Sequence, residues 1–305
     1  MEEPRSRDQP GRVCVVGSAN VDRVLRVLRH PLGGETVFAS ERARHAGGKG
    51  LNQAVAAARM GARVALRARI GNDDDGAYLQ AVLAGEAIDI SGVRPLGAAT
   101  GTADIAVDAA GENTIIIFPG ANGAFGRLDD GDERALAAAD VVLLQGEIPL
   151  PTIEAAAREG RAAGATIVFT PAPVQDFPAS LLELVDVLVP NEHEAIQLAG
   201  IADPLGAACA LSTAVRTVVV TLGARGSATA RGGLVVAETP AVPTHPVDTT
   251  GAGDTFAGAL GAMLARGESL GSAVTIASAA AALSVSRPGA SASMPRLEEV
   301  SALLA

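Results

Sequence analysis

The sequence is nearly without lysine. Of its 24 basic residues only Lys49 is a lysine, and its six asparagines stand at 20, 52, 72, 113, 122 and 191. Such a bias follows codon pressure in a GC-rich genome, so a lysine or asparagine that persists marks a position where chemistry asks for it. There is no tryptophan, one tyrosine and six phenylalanines, which leaves little material for stacking on a base. The net charge is −10. An acidic surface argues against a nucleic-acid partner, whose phosphates need a basic face. No apolar run reaches the roughly 18–20 residues of a membrane span. The stretch 1–11 is polar and lacks the apolar core of a secretory signal. Residues 1–12 read as a disordered tail, and the cytoplasm is the expected location. Two cysteines, Cys14 and Cys209, make no disulfide framework. Cys14 lies in an apolar run and reads as a buried thiol.

What is present is a chain of 305 residues, 48% hydrophobic, long enough to bury a sizeable core. Short β-branched runs at 13–17, 64–70, 141–144, 166–170, 185–189 and 217–221 alternate with alanine-rich helical patterns at 52–60, 76–84, 151–163, 254–265 and 270–285. Apolar strands between helices predict an α/β fold: a doubly wound, mostly parallel sheet with helices on both faces. Ligands of such sheets bind at the carboxyl ends of the strands. Two stretches break the pattern. Residues 35–45 look extended, while 100–108 and 114–118 flank Ala109-Ala110-Gly111-Glu112-Asn113 as a hairpin. Ile105 and Val107 alternate with small or polar residues, so this small sheet has one wet face. The expected organisation is one α/β domain over 13–305, with a β-lid inserted at about 21–46 and 98–120.

The run Asp248-Thr249-Thr250-Gly251-Ala252-Gly253-Asp254-Thr255-Phe256-Ala257-Gly258 carries the strongest chemical signal. Phe256, Leu260, Met263 and Leu264 recur at helical spacing behind it. The glycines therefore open a helix, where free N–H groups and the dipole attract anions. Asp254 falls in the first turn, beside such an anion. A plain Gly-rich turn with a helix-starting Asp reads the same way in isolation. No Gly-x4-Gly-Lys-Ser/Thr loop occurs, and the run lacks the Gly-x-Gly-x-x-Gly of a dinucleotide site.

The full run resembles the C-terminal signature of the ribokinase family. Gly47-Gly48-Lys49-Gly50-Leu51-Asn52-Gln53-Ala54 resembles the same family's N-terminal signature, about 200 residues earlier and in the family's order. Gly33-Gly34-Glu35-Thr36-Val37 and Gly120-Ala121-Asn122 are similar to it as well. Thr170, before Pro171-Ala172-Pro173, departs from the asparagine usual there. The resemblance runs from residue 13 to about 303 and implies a Rossmann-like sheet with a β-lid, and ATP as phosphoryl donor.

By that resemblance Asp254 is the catalytic base, and Gly251, Ala252 and Gly253 form an anion hole. Asn20, Asp22, Gly48, Lys49, Asn52 and Glu147 match its sugar-binding positions. Independently, Asn20 and Asp22 are spaced i, i+2 and face one way in extended backbone. Their amide and carboxylate suit vicinal hydroxyls, although both residues also favour turns. Asn191, Thr221, Leu222, Gly223, Ala224, Arg225, Gly226, Gly253 and Ser278 match nucleotide positions. Glu194 matches a residue that orders water around Mg²⁺, while Asn191 with Glu194 also spells a helix capping box. Asp248, Thr250, Ser284, Arg287, Gly289 and Ser293 match ligands of a monovalent cation, K⁺. The resemblance further implies a homodimer through the lid and D-ribose as the first acceptor, phosphorylated at the 5-hydroxyl. Deoxyribose, another pentose, a nucleoside, or a sugar phosphate held by Arg42 and Arg44 remain alternatives, as does a non-catalytic sugar sensor.

Overall fold

The first strand shows how the main sheet is covered. In β1 (Arg12–Val16), Val13 and Val15 pack to one side, while Cys14 and Val16 pack to the other. A strand buried on both faces needs apolar residues throughout, and this one has them. The computed structural model describes residues 10–305. Most of the tail read over 1–12 lies outside the described residues, and one position is corrected. Arg12 already belongs to β1, because its N–H donates to Asp140 Oδ2 at 2.8 Å and its backbone pairs with Arg63.

The chain continues through β2 (Asn20–Val27), β3 (Ala39–Gly47), α1 (Lys49–Arg59), β4 (Arg63–Gly71), α2 (Asp74–Ala84) and β5 (Ile88–Leu96). Then come β6 (Gly101–Val107), β7 (Asn113–Phe118), α3 (Asp130–Ala137), β8 (Val141–Gln145), α4 (Leu150–Ala162) and β9 (Thr166–Thr170). The rest is α5 (Ala179–Leu182), β10 (Val187–Leu188), α6 (Glu192–Ala199), α7 (Pro204–Leu211), β11 (Val218–Thr221), β12 (Ser227–Arg231), β13 (Leu234–Thr239), α8 (Ala252–Ala265), α9 (Leu270–Val285) and α10 (Leu297–Leu304).

The main sheet has the order β13-β12-β11-β10-β9-β8-β1-β4-β5. Every pair from β11 to β5 is parallel, and β12 is antiparallel to both neighbours. Helices α1, α8 and α9 bury their apolar stripes against one face; α3, α4 and α7 cover the other. A second, four-stranded sheet of order β3-β2-β6-β7 stands apart from it.

Local chemistry explains where elements differ from the sequence pattern. The apolar run 185–189 yields only two paired residues, Val187 and Leu188, because Val185 N–H closes a turn on Leu182 O and Pro190 cannot donate. The pattern does not reveal β5, whose Pro95 is tolerated because the strand lies at the sheet edge. Nor does it reveal β12 and β13. Gly232 and Gly233 join them with φ of 56° and 83°, the glycine pair a two-residue hairpin favours.

Candidate active site

The site assembles at the carboxyl ends of the parallel strands, beginning where β1 meets α1. Gly48, the N-cap of α1, has φ 87°, and a Cβ there would lie 2.8 Å from Asn20 N. A Cβ on Gly47 would fall 2.1 Å from Asp22 Oδ2. Two adjacent glycines thus let the helix start press against β2 where it presents Asn20 and Asp22. Asn122 fixes Asn20: its Nδ2 donates to Asn20 Oδ1 at 2.6 Å, and it exchanges hydrogen bonds with the Ala19 backbone at 3.0 and 3.1 Å.

Carboxylates crowd this corner. Burial, then the charges of Glu147 and Asp254, push the Asp22 carboxyl up to about 7. Lys49 offsets them. Asp254 foremost, with Glu147 and Glu194, holds the Lys49 ammonium above its ordinary value against the opposing effect of burial. The single lysine therefore sits where several acidic groups converge. Glu147 also ties the corner together locally, since its Oε2 accepts from Ser18 Oγ and from Lys49 N–H, the latter at 3.0 Å. A sugar contact from Glu147 would fall to its other oxygen.

Asp254 is the third residue of α8 and is buried, 6% exposed. The N-cap Gly251 has φ 75°, a left-handed backbone that opens the helix, and its Cα faces Ala290 too closely for a free side chain. Each Asp254 oxygen accepts one amide: Asn52 Nδ2 at 3.0 Å on Oδ2 and Gln53 Nε2 at 3.1 Å on Oδ1. Helices α1 and α8 must pack tightly for this. At Gly258 a Cβ would lie 2.5 Å from Gln53 O and 2.6 Å from Ala56 Cβ. Of the three N–H groups expected in the anion hole, that of Ala252 donates to Thr249 O at 3.2 Å. Gly251 and Gly253 are the better donors.

Beyond the α8 N-terminus opens a cavity of about 590 Å³. Thr221, Gly223, Ala224, Gly226, Gly253 and Ser278 line it, as read from the sequence. Leu222 is buried beneath, and Arg225 turns to Glu192 at 2.6 Å. Val242, Pro243, Phe256 and Val285 are among the residues of its apolar wall. Nothing in the sequence separates them from ordinary core residues.

Asn191 and Glu194 form the capping box of α6, each accepting the other's N–H at 2.8 Å. Burial is the main cause that raises the Glu194 carboxyl. No cluster of three or more His, Cys, Asp or Glu able to hold a metal occurs among the described residues. A magnesium ion that keeps its waters needs only one such carboxylate, so Glu194 fits one. At Asp248 burial opposes the charge, yet the Thr250 hydroxyl, the N–H groups of Thr250 at 2.9 Å and Gly289 at 2.8 Å, and the charge of Arg26 together outweigh it and hold the carboxyl below its usual range. Asp248 thereby clasps two loops. The Arg287 side chain turns to Glu299, leaving its carbonyl, and Ser284 and Ser293 add oxygens nearby in sequence. Each of these groups can offer oxygen, the donor type a monovalent cation takes.

Arg44, one candidate for an acceptor phosphate, is engaged elsewhere. It pairs with Asp75 at 2.7 Å and lies over the Tyr78 ring at 4.1 Å. Three further residues to which the sequence assigns no role, Ser18, Gln53 (within the first signature) and Gln145, are all fully buried and hydrogen-bonded at the site.

Comparison with known proteins agrees with the geometry. The profile of pfkB family carbohydrate kinases matches residues 11–297. A ribokinase of Staphylococcus aureus is 38% identical over 301 residues, covering 95% of this chain and 98% of that one. A bifunctional ribokinase/ribose-5-phosphate isomerase A of Fructilactobacillus sanfranciscensis is 36% identical; the match covers 95% of this chain and 55% of that longer protein. The structure of Arabidopsis thaliana ribokinase complexed with ribose and ATP superposes with a TM-score of 0.90 at 34% identity, covering 97% and 99% of the two chains.

Proposed function

The chain belongs to the pfkB family of carbohydrate kinases, and from that premise we propose that it transfers the γ-phosphoryl group of ATP to D-ribose, giving D-ribose 5-phosphate. One observation carries the reading. A polar set of Asn20, Asp22, Lys49 and Asn52 and a largely apolar cavity both adjoin one helix N-terminus, that of α8, where Asp254 sits. Ribokinases that match nearly the full chain supply the acceptor and the donor.

Phosphoryl transfer asks more for positioning and charge neutralisation than for covalent chemistry. Asn20, Asp22, Gly48, Lys49, Asn52 and the free oxygen of Glu147 hold the sugar with one primary hydroxyl toward Asp254. Asp254 takes that proton as the phosphoryl group moves, late in the step because a sugar hydroxyl is a weak acid. Help of this kind is worth on the order of 10²–10⁴-fold. N–H groups of Gly251 and Gly253, with a weaker one from Ala252, face the charge that develops. Asn191, Thr221 to Gly226 and Ser278 surround the nucleotide. Magnesium held through water by Glu194 would supply charge neutralisation, and potassium among Asp248, Thr250, Ser284, Arg287, Gly289 and Ser293 would brace the loop of the anion hole.

The protein works in the cytoplasm in this reading; no helix among the described residues is long and apolar enough to cross a membrane. It works as a homodimer through the lid. The outer strand β7 is exposed throughout, and Ile116 and Phe118 stand 68% and 52% exposed on it. A second lid covering that edge would bury both.

The test is ATP consumption with ribose, adenosine and fructose 6-phosphate side by side. Ribose should turn over fastest. Preference for either other acceptor overturns the assignment, and tight binding of one sugar without any turnover would make the protein a sensor.

A further inference from the structure

Behind the Asp254 carboxylate runs a chain of buried amides that the reaction above does not use. Gln53 and Gln145 are both fully buried, on α1 and at the end of β8. Gln53 Nε2 donates to Asp254 Oδ1 at 3.1 Å and to Thr170 Oγ1 at 3.4 Å. Gln145 Nε2 donates to Gln53 Oε1 at 2.8 Å. The polarity of this chain follows from chemistry. A carboxylate offers only acceptors, so Gln53 must turn its NH₂ toward Asp254. Its carbonyl then faces Gln145, which must in turn present its own NH₂. Gln145 Oε1 is left pointing to Gly17, where a Cβ would lie 2.0 Å away.

Asn52 grips Oδ2 from the neighbouring position of the same helix. Asn52 alone would leave the carboxylate free to roll about its Cβ–Cγ bond; a second donor on Oδ1 stops that motion. We infer that Gln53 and Gln145 are positioning residues for the reaction: Gln53 sets the roll of the Asp254 carboxylate, and Gln145 holds Gln53. The inference rests on the reading of Asp254 as the base. Neither amide touches the sugar-binding groups Asn20, Asp22 or Lys49 through any hydrogen bond the structure shows, so binding and turnover should separate when the chain is cut.

The experiment compares Gln53→Met and Gln145→Met, which keep side-chain length and remove the amide, with Asp254→Asn, using ribose and ATP. Misplacing a base by a fraction of an ångström lowers turnover steeply, so kcat should fall by about 10- to 100-fold in Gln53→Met and by about 3- to 10-fold in Gln145→Met. KM for ribose should stay within about two-fold in both. Gln145→His, whose ring N–H can donate at similar reach, should recover most of the loss. A kcat within about two-fold of the parent in both Met variants would overturn the inference, as would KM rising in step with the fall in kcat. Failure of both Met variants to fold would assign the amides to the core and likewise overturn it. If Asp254→Asn turned over like the parent, the base reading itself would fall. If Asp254→Asn is inactive while both Met variants are unaffected, only the positioning inference fails.

Discussion

At the scale of single residues the corner around Lys49 is a site that works against stability. Asp22 titrates near 7 because burial and two neighbouring carboxylates disfavour its charge. A carboxyl whose folded value lies above its unfolded value of 3.8 binds more protons in the native state. Stability from this group is therefore lost as pH rises from about 4 to about 7, and the loss is complete above that. The shift corresponds to about 4 kcal/mol at most, before solvent screening reduces it. Asp22→Asn should accordingly be more stable than the parent at pH 8 by thermal denaturation, by less at pH 5, and should bind ribose poorly. A variant less stable at pH 8 would refute the strained-carboxyl account. Asp254→Asn keeps the shape of the side chain and one acceptor oxygen for the neighbouring amides, so ribose and ATP should still bind while kcat falls by about 10²–10⁴-fold. Calorimetric binding with single-turnover kinetics separates the two effects.

At the scale of elements, one contact brings the side chains around Asp254 together and another holds the opposite face of the sheet. The first is the close approach of α1 and α8 at Gly258, which places Asn52 and Gln53 against Asp254. Gly258→Val would drive a side chain into the α1 backbone. Overpacking of this kind costs about 1–3 kcal/mol, and kcat should drop along with the melting temperature because the base and its donors separate. The second is the buried pair that ties β4 to α3. Arg69 Nη2 meets Asp132 Oδ2 at 2.5 Å, with exposures of 6% and 0%, and the guanidinium lies 3.8 Å over the Phe125 ring. Removing Asp132 leaves Arg69 only the more exposed Asp129, 3.6 Å away, and breaking a buried pair of this kind costs up to about 3–5 kcal/mol. Asp132→Ala should show that loss in urea unfolding. This pair belongs to the face opposite α8, so the kcat of the protein that remains folded should be unchanged.

At the scale of the whole molecule the lid is the part whose surface is unfinished. Its four strands expose both edges, and β7 carries Ile115, Ile116, Ile117 and Phe118 at 49%, 68%, 50% and 52% exposure. Asp75 anchors the lid to the body by receiving Arg23 and Arg44 from adjacent strands, each at 2.7 Å. The lid is thus held at its base while its outer strand is bare. Light scattering should give twice the chain mass for the parent. Ile116→Lys should shift it to a monomer with weaker ribose binding. A parent that stays monomeric at every concentration would refute the dimer.

Some of this was written in the residue pattern and some was not. The β-branched runs and alanine-rich helices carry the doubly wound class because periodicity and length are local properties. Gly47 to Ala54 and Asp248 to Gly258 carry the family resemblance because a glycine at a helix start and an adjacent carboxylate are neighbours in the chain. The lone lysine could be flagged by composition alone. Long-range partners could not. Nothing at position 53 says that its amide faces residue 254, 201 positions away, or that Gln145 holds it from the end of β8. The apolar wall of Val242, Phe256 and Val285 reads as core until the α8 N-terminus leaves a cavity beside it. The sequence by itself determined which groups are present and which local turns present them. Only the tertiary structure decided which buried donor faces which acceptor, because those contacts depend on how α1, α8, β8 and β9 pack, and packing is not a property of any one segment.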